Sequence, residues 1–309
     1  MSEQYRLVTR SDLDGMVSAA LLRKLGMIKD IKFVHPKDVQ DGKVELTGQD
    51  ITTNLPYVES VHLAFDHHSS EAIRVKSPKP NYVNDPHAPS AARVVYNYFG
   101  GKAKFPGVAE DMVLAADKVD AAQYSKEDVL HPKGWDLLGF LTDPRTGLGR
   151  FRTFHISNLA LMTELAWKMG TLSLAELLAL PDVKERVDLY FEQEPLFDAQ
   201  IKRCAAIHKN LVVLDLRQED PIYVGNRFKV YALFPECNIS MHVMWGLKKQ
   251  NIVFAVGKSI FKRTAKTDVG ALMLAYGGGG LTTVGTCQID IDRADKVKQA
   301  LIARITADG

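Results

Sequence analysis

The chain has 309 residues, 46% of them hydrophobic, so it is long enough for one large domain or two ordinary domains with buried cores. Its formal net charge of +2 and its pI near 8.3 give no strong global field, which argues against a dedicated binder of long nucleic acid or of membrane surfaces. No stretch of the sequence approaches the ~20 apolar residues of a membrane span.

The N-terminal part of the chain alternates strand and helix patterns. Short apolar or β-branched runs predict strands at Tyr5–Val8, Ile31–Val34, Ile51–Thr53 and Val61–Phe65. Helices are predicted at Met16–Leu25, Ala91–Phe99, Ala109–Ala121, Ile156–Met169 and Leu174–Leu180. The turn-rich segment Thr142–Arg152 predicts an exposed loop. This alternation predicts a mainly parallel sheet with helices on both faces.

The pattern changes in the C-terminal third. Val183–Asn210 predicts a long polar helix that is interrupted or kinked at Pro195. Strands are then predicted at Leu211–Leu216, Arg227–Phe234, Ile239–Trp245, Ile252–Val256 and Thr286–Ile291, with helices at Val269–Tyr276 and at the C-terminus. We therefore expect an α/β protein with a first domain over residues 1–185, a linker helix over 186–210 and a smaller α/β domain over 211–309.

Two carboxylate-rich motifs each follow a predicted strand. Asp12-Leu13-Asp14-Gly15 comes after the first strand, and Phe65-Asp66-His67-His68 ends the fourth. Because open α/β sheets bind ligands at the carboxyl ends of their strands, both motifs should lie at one crevice. Two carboxylates ~4 Å apart repel by ~4 kcal/mol at an effective dielectric of ~20, so such a cluster needs a cation or shared protons. Carboxylate and imidazole groups together indicate a divalent metal ion.

The two motifs together carry a family resemblance. Asp-x-Asp-Gly alone is more typical of a solvated turn, and haloacid-dehalogenase-type phosphatases also use it, but neither interpretation accounts for Phe65–His68. In this order and spacing the chain resembles the DHH phosphoesterase superfamily, most closely its exopolyphosphatase-like bacterial subgroup. Asp117-Lys118-Val119-Asp120 resembles the later acidic motif of that superfamily, and Tyr276–Gly280 resembles the glycine loop of its DHHA1-type substrate domain. The match covers nearly the whole chain.

The resemblance implies a metal-dependent hydrolase of phosphoanhydride or phosphodiester bonds that uses a metal-activated water. Its substrate would be polyphosphate, a short oligonucleotide or a small phosphorylated nucleotide, and its cofactor one or two Mn²⁺ or Mg²⁺ ions. The metal ligands would be Asp12, Asp14, Asn54, His67 and Asp120. The catalytic groups would be Asp12, His68 and Arg10, with Asp66 supporting the ligands. The substrate contacts would be Arg263, Lys266, Gly278, Gly279 and Gly280.

Two departures from the superfamily pattern concern the metal site. Arg10 stands where a histidine ligand is usual, and a guanidinium has no lone pair for a metal. Either Arg10 replaces one of two ions and grips phosphate, which leaves a single-ion site, or it is a surface arginine. The usual aspartate on the strand before the DHH motif has two candidates here, Asp50 and Asn54. Asn54 is the better positional match, although an amide is a weaker ligand, and the alternative for Asp50 is a solvated turn carboxylate.

A third departure lies in the glycine loop, where Leu281 replaces a usual histidine. Loss of a hydrogen bond to a charged group costs ~1.5–3 kcal/mol, so this predicts a weakened or altered phosphate site, or a different substrate. The glycines can still present backbone N–H groups to an anion, although a turn without a ligand is the alternative. In the basic run before the loop, Arg263 is favoured over Lys266 as the residue that contacts phosphate, because it matches the arginine-bearing segment of related substrate domains.

A different class of function stays open at this point. The three departures also suit a degenerate family member that binds a phosphorylated ligand without turnover, although the retained acidic and histidine residues favour an enzyme. A nuclease for long polymers would need a more basic surface and an aromatic channel. The N-terminus lacks the apolar core of a signal peptide, and three widely spaced cysteines indicate reduced thiols. We therefore expect a cytoplasmic protein without a membrane partner, and a homodimer is one option.

Overall fold

A computed structural model, which describes residues 3–107 and 110–309, divides the protein into two compact units. Unit 1 comprises Met1–Tyr124 and Pro132–Leu189, and unit 2 comprises Ser125–His131 and Tyr190–Gly309. Each unit contains one of the two described sheets, with helices packed against it. The predicted α/β class, with a parallel first sheet, is confirmed.

The sheet of unit 1 is parallel throughout, with the strand order β2-β1-β3-β4-β5. Its strands are β1 (Tyr5–Thr9), β2 (Ile28–Phe33), β3 (Asp50–Thr53), β4 (Leu63–Asp66) and β5 (Tyr82–Asn84). Leu7 and Val8 point to opposite faces of β1 and both are fully buried, because helices cover the central strands. The sequence did not predict β5, whose three residues are too few for a periodic pattern.

The helices of unit 1 surround this sheet. They are α1 (Leu13–Lys24), α2 (Pro36–Gln40), α3 (Ser69–Arg74), α4 (Ala91–Tyr98), α5 (Gly101–Lys104) and α6 (Glu110–Asp120), then, after α7 (Lys126–Leu130) of unit 2, α8 (Gly134–Thr142), α9 (Asn158–Lys168), α10 (Leu174–Ala179) and the start of α11 (Pro181–Cys204). Ala109, the predicted first residue of α6, lies outside the described residues. The buried helix α1 packs against α4, α6 and α9.

Unit 2 contains a mixed sheet with the strand order β10-β11-β9-β8-β7-β6. Its further elements are β6 (Ala205–His208), β7 (Leu211–Asp215), α12 (Lys229–Leu233), β8 (Ile239–Trp245), β9 (Ile252–Lys258), α13 (Val269–Leu274), β10 (Gly279–Gly280), β11 (Val284–Ile289) and α14 (Ile291–Asp308). Strands β7 and β8 are parallel, and the other neighbouring pairs are antiparallel. No described helix is long and apolar enough to cross a membrane.

Three local predictions were wrong. The strand predicted over Arg227–Phe234 is the helix α12, because its Lys229 is buried and bonds to carboxylates on α11. The helix predicted to reach Asn210 ends at Cys204, since the following residues pair with β7 as β6; it continues through Pro195 without a break. The loop predicted over Thr142–Arg152 contains two short 3₁₀ turns with buried residues.

Candidate active site

The predicted metal-binding side chains meet at the carboxyl end of the first sheet. Asp14 lies in the first turn of α1, Asn54 follows β3, His67 follows β4, and Asp120 is the last residue of α6. Ligand atoms of Asp14, His67 and Asp120 all lie within 4.8 Å of one another. The structure thus brings three residues that are distant in sequence close together. We call Asp14, His67 and Asp120 the Asp-His-Asp group.

The turn between β1 and α1 is unusually close-packed. Asp12 has extended backbone angles and caps α1, because its side chain accepts a hydrogen bond from the N–H of Gly15 at 3.1 Å. A Cβ atom on Gly15 would lie 2.1 Å from the carbonyl oxygen of Arg10 and 2.8 Å from Oγ1 of Thr9. Glycine is therefore needed here for close approach of the backbone, and this approach sets the positions of Asp12 and Asp14.

We expect Gly15→Ala to lower the free energy of unfolding by about 1–3 kcal/mol, because the added methyl group must displace the backbone at Arg10. Chemical denaturation and a Mn²⁺ titration would measure the losses of stability and of metal affinity. Gly48→Ala is the control, since the nearest atom to its added Cβ is 3.9 Å away. A Gly15→Ala protein with the stability and metal affinity of the control would contradict this account of the turn.

Asp14 is the best-held member of the group, and only 1% of it is exposed. Its Oδ2 accepts hydrogen bonds from Nδ2 of Asn54 at 2.7 Å and from the N–H of Ala91 at 3.1 Å, and its Oδ1 accepts one from the N–H of Ala92 at 2.7 Å. The last two donors belong to the N-terminus of α4. Burial and repulsion from Asp120 nevertheless raise the pKa of Asp14 to about 7.

His67 presents one ring nitrogen to the group. Its Nδ1 lies 3.2 Å from the carbonyl oxygen of Ala88, which assigns the proton to Nδ1 and leaves Nε2 as a potential ligand. Nε2 is buried and 3.0 Å from Oδ2 of Asp120, without the alignment of a hydrogen bond. Neighbouring ligands of an octahedral ion with bonds of about 2.1 Å are also about 3.0 Å apart. This spacing suits two ligands of a shared ion.

The donor set of the Asp-His-Asp group fits one divalent cation. It offers carboxylate oxygens from Asp14 and Asp120 and one imidazole nitrogen, a combination that suits Mn²⁺ and, less closely, Mg²⁺. Oδ1 of Asn54 is buried without a hydrogen-bond partner, so a further oxygen is available next to Asp14. Asp12 lies outside this three-residue group and pairs with Nε of Arg10, which is 3.1 Å from its Oδ2.

The predicted catalytic histidine, His68, is paired with the buried carboxylate of Asp66. Its Nδ1 lies 2.8 Å from Oδ1 of Asp66, which is fully buried, and the hydroxyl of Tyr82 donates to the other oxygen of Asp66 at 3.4 Å. The ring of His68 is 31% exposed. A buried carboxylate that orients a partly exposed imidazole is an arrangement suited to proton transfer.

Two further buried carboxylates of unit 1, Asp117 and Asp50, have structural roles. Asp117 accepts hydrogen bonds from Oγ of Ser90 at 2.7 Å and from Nε of Arg93 at 2.9 Å, and so it holds the end of α4 that contacts Asp14. The expectation that Asp50 is a solvated turn carboxylate was wrong. Asp50 is 1% exposed and bonds to Nε of Arg6 at 2.6 Å, at the start of β3 and hence at the opposite end of that strand from Asn54.

The residues predicted to contact substrate in unit 2 lie on its surface. Arg263 and Lys266 are exposed, and Leu281 is 47% exposed. Within the glycine loop, a Cβ on Gly278 would lie 2.0 Å from the carbonyl oxygen of Thr286, and one on Gly280 would lie 2.2 Å from that of Val284, whereas Gly279 has open space. Strand pairing of β10 with β11 therefore accounts for glycine at 278 and 280.

Mn²⁺ affinity should rise with pH between about 7 and 9. Burial lowers the pKa of His67, but Asp120 and Asp14 outweigh it and raise this pKa from 6.5 to about 9. Without metal, this raised pKa stabilises the fold below pH 6.5, and the stabilisation is lost as the pH approaches 9. A ligating Nε2 must lose its proton, so we expect about tenfold tighter binding per pH unit. Calorimetric titration in buffers of different ionisation enthalpy would detect the released proton. A Mn²⁺ affinity that does not change between pH 7 and 9 would contradict the prediction.

Comparisons with known proteins find relatives of this chain among solved structures. No protein-family model and no curated protein matches the chain. Among solved structures, the pGpG-specific phosphodiesterase PggH from Vibrio cholerae is 56% identical over 99% of this chain and 100% of that chain, with a TM-score of 0.86. RecJ from Thermus thermophilus, in complex with Mn²⁺, is 16% identical over 97% of this chain and 52% of that chain, with a TM-score of 0.53, and is therefore similar in fold alone.

Proposed function

Because the chain belongs to the DHH phosphoesterase superfamily, we propose that it hydrolyses the short dinucleotide pGpG to two molecules of GMP. The observation that carries the proposal is the identity of 56% with a pGpG-specific phosphodiesterase over the full length of both chains. The Asp-His-Asp group supports it, since a metal site is what such a reaction requires.

The chain is a metal-dependent phosphoesterase, and the prediction of a hydrolase is confirmed by its relationship to a phosphodiesterase. The interpretation as a binder without turnover is therefore not retained. Hydrolysis of pGpG adds water across its internucleotide phosphodiester. One product keeps the phosphate at its 5′ oxygen, and the leaving 3′ oxygen of the other takes a proton.

We propose that Asp14, His67 and Asp120 hold a single Mn²⁺ ion, with Oδ1 of Asn54 as a further ligand. When bound, the ion acts as a Lewis acid towards the phosphate and lowers the pKa of water. The support for one ion is that Arg10 already pairs with Asp12, where the superfamily usually has a metal-binding histidine. The RecJ structures with Mn²⁺ and Mg²⁺ support either metal for the fold family.

Two groups of this chain are proposed to move the protons of the reaction. Burial raises the pKa of Asp12 even though Arg10 lowers it, so its carboxylate is a stronger base than an exposed one and suits the attacking water. His68, oriented by Asp66, is proposed to donate from Nε2 to the leaving 3′ oxygen.

The remaining predicted contacts keep the status of proposals. We propose that Arg263, Lys266 and the glycines Gly278, Gly279 and Gly280 of unit 2 bind a phosphate of the substrate, with Leu281 in place of the usual histidine. The exposed cationic side chains support this, as does the open space at Gly279, where a backbone N–H can approach an anion. A cytoplasmic location and a homodimer are further proposals.

The test is a comparison of four substrates with the Mn²⁺-loaded protein: pGpG, pyrophosphate, polyphosphate and a 3′-phosphorylated adenosine nucleotide. We expect GMP to accumulate at two molecules per pGpG, with kcat/KM at least 100-fold above that for the other three. Lys168→Ala serves as a variant control, because Lys168 pairs with Glu164 at the end of α9. This end of α9 lies beside the C-terminal end of α1, whereas Asp14 lies in the first turn of α1. Faster release of product from any other substrate would overturn the choice of pGpG.

A further inference from the structure

The segment that follows α8 is fixed next to the Asp-His-Asp group. Gly139 of α8 lies against Val119 of α6, since a Cβ atom on Gly139 would be 2.7 Å from the Val119 side chain. Nζ of Lys118 also lies 2.9 Å from Oδ2 of Asp136 at the start of α8. Both contacts involve the last turn of α6, the turn that ends in Asp120. The residues just after α8 therefore have a defined place near the metal ligands.

Arg145 extends from this segment in a fixed orientation. Asp143 caps the 3₁₀ turn Pro144–Thr146, and its Oδ1 accepts hydrogen bonds from the backbone N–H of Arg145 at 2.9 Å and from Nε of Arg145 at 2.7 Å. Within the part of the chain that the structure describes, no partner is found for the two terminal nitrogens of this guanidinium. The side chain is 53% exposed, so these nitrogens can reach a ligand.

The charges around Arg145 belong to the active site. Asp12 and Asp120 are both within electrostatic reach of its guanidinium. Their hydrogen-bonding partners are other groups, however, because Asp12 pairs with Arg10 at 3.1 Å and Asp120 lies 3.0 Å from His67. Asp143 thus holds Arg145 beside Asp12 and Asp120, and neither of these two carboxylates is a hydrogen-bond partner of its guanidinium. A planar fork of unpaired N–H donors in such a position matches the non-bridging oxygens of a phosphate.

We propose that Arg145 forms a phosphate-binding site beside the metal ion and binds the scissile phosphate of the substrate. This role rests on the proposed function, since a phosphodiester must lie at the metal for the contact to form. The ligand class is a phosphate monoester or diester anion, and two parallel hydrogen bonds would orient it for attack. Asp143 is a positioning residue, because it acts by holding Nε of Arg145.

The experiment measures binding of inorganic phosphate to the Mn²⁺-loaded protein by calorimetry, for the wild type, Arg145→Ala, Arg145→Lys and the control Lys168→Ala. We expect Arg145→Ala to weaken phosphate binding at least tenfold and to lower kcat/KM for pGpG about 100-fold, with Mn²⁺ affinity within twofold of the wild type. Arg145→Lys keeps the charge but not the fork, so it should bind phosphate three- to fivefold more weakly than the wild type.

Equal phosphate affinity in Arg145→Ala and Lys168→Ala would overturn the site, and so would a parallel loss of Mn²⁺ affinity, which would indicate a structural role. Should Arg145→Ala fail to fold, Arg145→Lys with wild-type phosphate affinity would overturn it equally. The wild-type assay separates the two proposals. If phosphate binding depends on Arg145 but the wild type does not hydrolyse pGpG, the proposed substrate is refuted and the phosphate site stands. If the Arg145→Ala variant hydrolyses pGpG as fast as the wild type, the phosphate site is refuted and the proposed substrate stands.

Discussion

Asp14→Asn is expected to reduce kcat for phosphodiester hydrolysis by at least about 10³-fold and to remove the stabilisation that Mn²⁺ gives the protein. The substitution deletes the most buried carboxylate of the Asp-His-Asp group. It also places an amide NH₂ among three N–H donors, those of Asn54, Ala91 and Ala92, so one hydrogen bond must be lost. Both effects act on the metal site directly.

Asp50→Asn is the matched control, because it neutralises another aspartate that is 1% exposed, at the far end of β3. It breaks the charged pair with Arg6, so we expect a loss of about 1–3 kcal/mol in the free energy of unfolding with kcat unchanged. Thermal unfolding with and without Mn²⁺ separates the two variants, since an ion at 100 times its Kd stabilises a fold by about 2.7 kcal/mol. Mn²⁺-dependent turnover of Asp14→Asn within tenfold of the wild type would refute this assignment.

The sequence predicted four of the five strands of the first sheet and the gathering of acidic and histidine residues at its carboxyl end, and the reason is topological. In a parallel sheet all carboxyl strand ends lie at one edge, so residues that follow different strands converge even when far apart in the chain. This holds for Asp14, after β1, and His67, after β4, and it also placed Asn54, after β3, next to Asp14. Asp120 required the family motif, because it ends a helix and no strand periodicity indicates its position.

The features that the sequence did not reveal depend on long-range partners. The burial of Asp50 depends on Arg6, 44 residues away, and the helical state of α12 depends on the pairing of Lys229 with Asp198, 31 residues away. Neither pairing has a local signature. Arg145 lies in a turn-rich segment that by composition is only an exposed loop, and its role emerges once α8 is packed against α6. Strand patterns thus located Asp14, Asn54 and His67, whereas the residues whose positions depend on long-range partners were missed.

The proposal of one ion per chain rests on two pairings beside the Asp-His-Asp group. Nε of Arg10 lies 3.1 Å from Oδ2 of Asp12, so a fixed cation occupies the side of Asp12 where the superfamily usually has a histidine. Nδ2 of Asn54 lies 2.7 Å from Oδ2 of Asp14, where the superfamily usually has a second carboxylate. An amide that donates to Asp14 adds no negative charge. The wild type therefore offers charge compensation for one divalent ion, and we expect one tightly bound Mn²⁺ per chain.

The double variant Arg10→His with Asn54→Asp is expected to hold two Mn²⁺ ions per chain, because it exchanges a fixed cation for a ligand and an amide for a carboxylate. Either change alone should fail to add an ion. Asn54→Asp alone sets two carboxylates about 2.7 Å apart, a repulsion of ~6 kcal/mol at an effective dielectric of ~20, and Arg10→His alone leaves Asp12 without its partner. Metal analysis of desalted proteins gives the count. Two tightly bound ions in the wild type would show that Arg10 does not replace a metal ion. A single ion in the double variant would show that the charge and ligand type at positions 10 and 54 do not limit the number of bound ions.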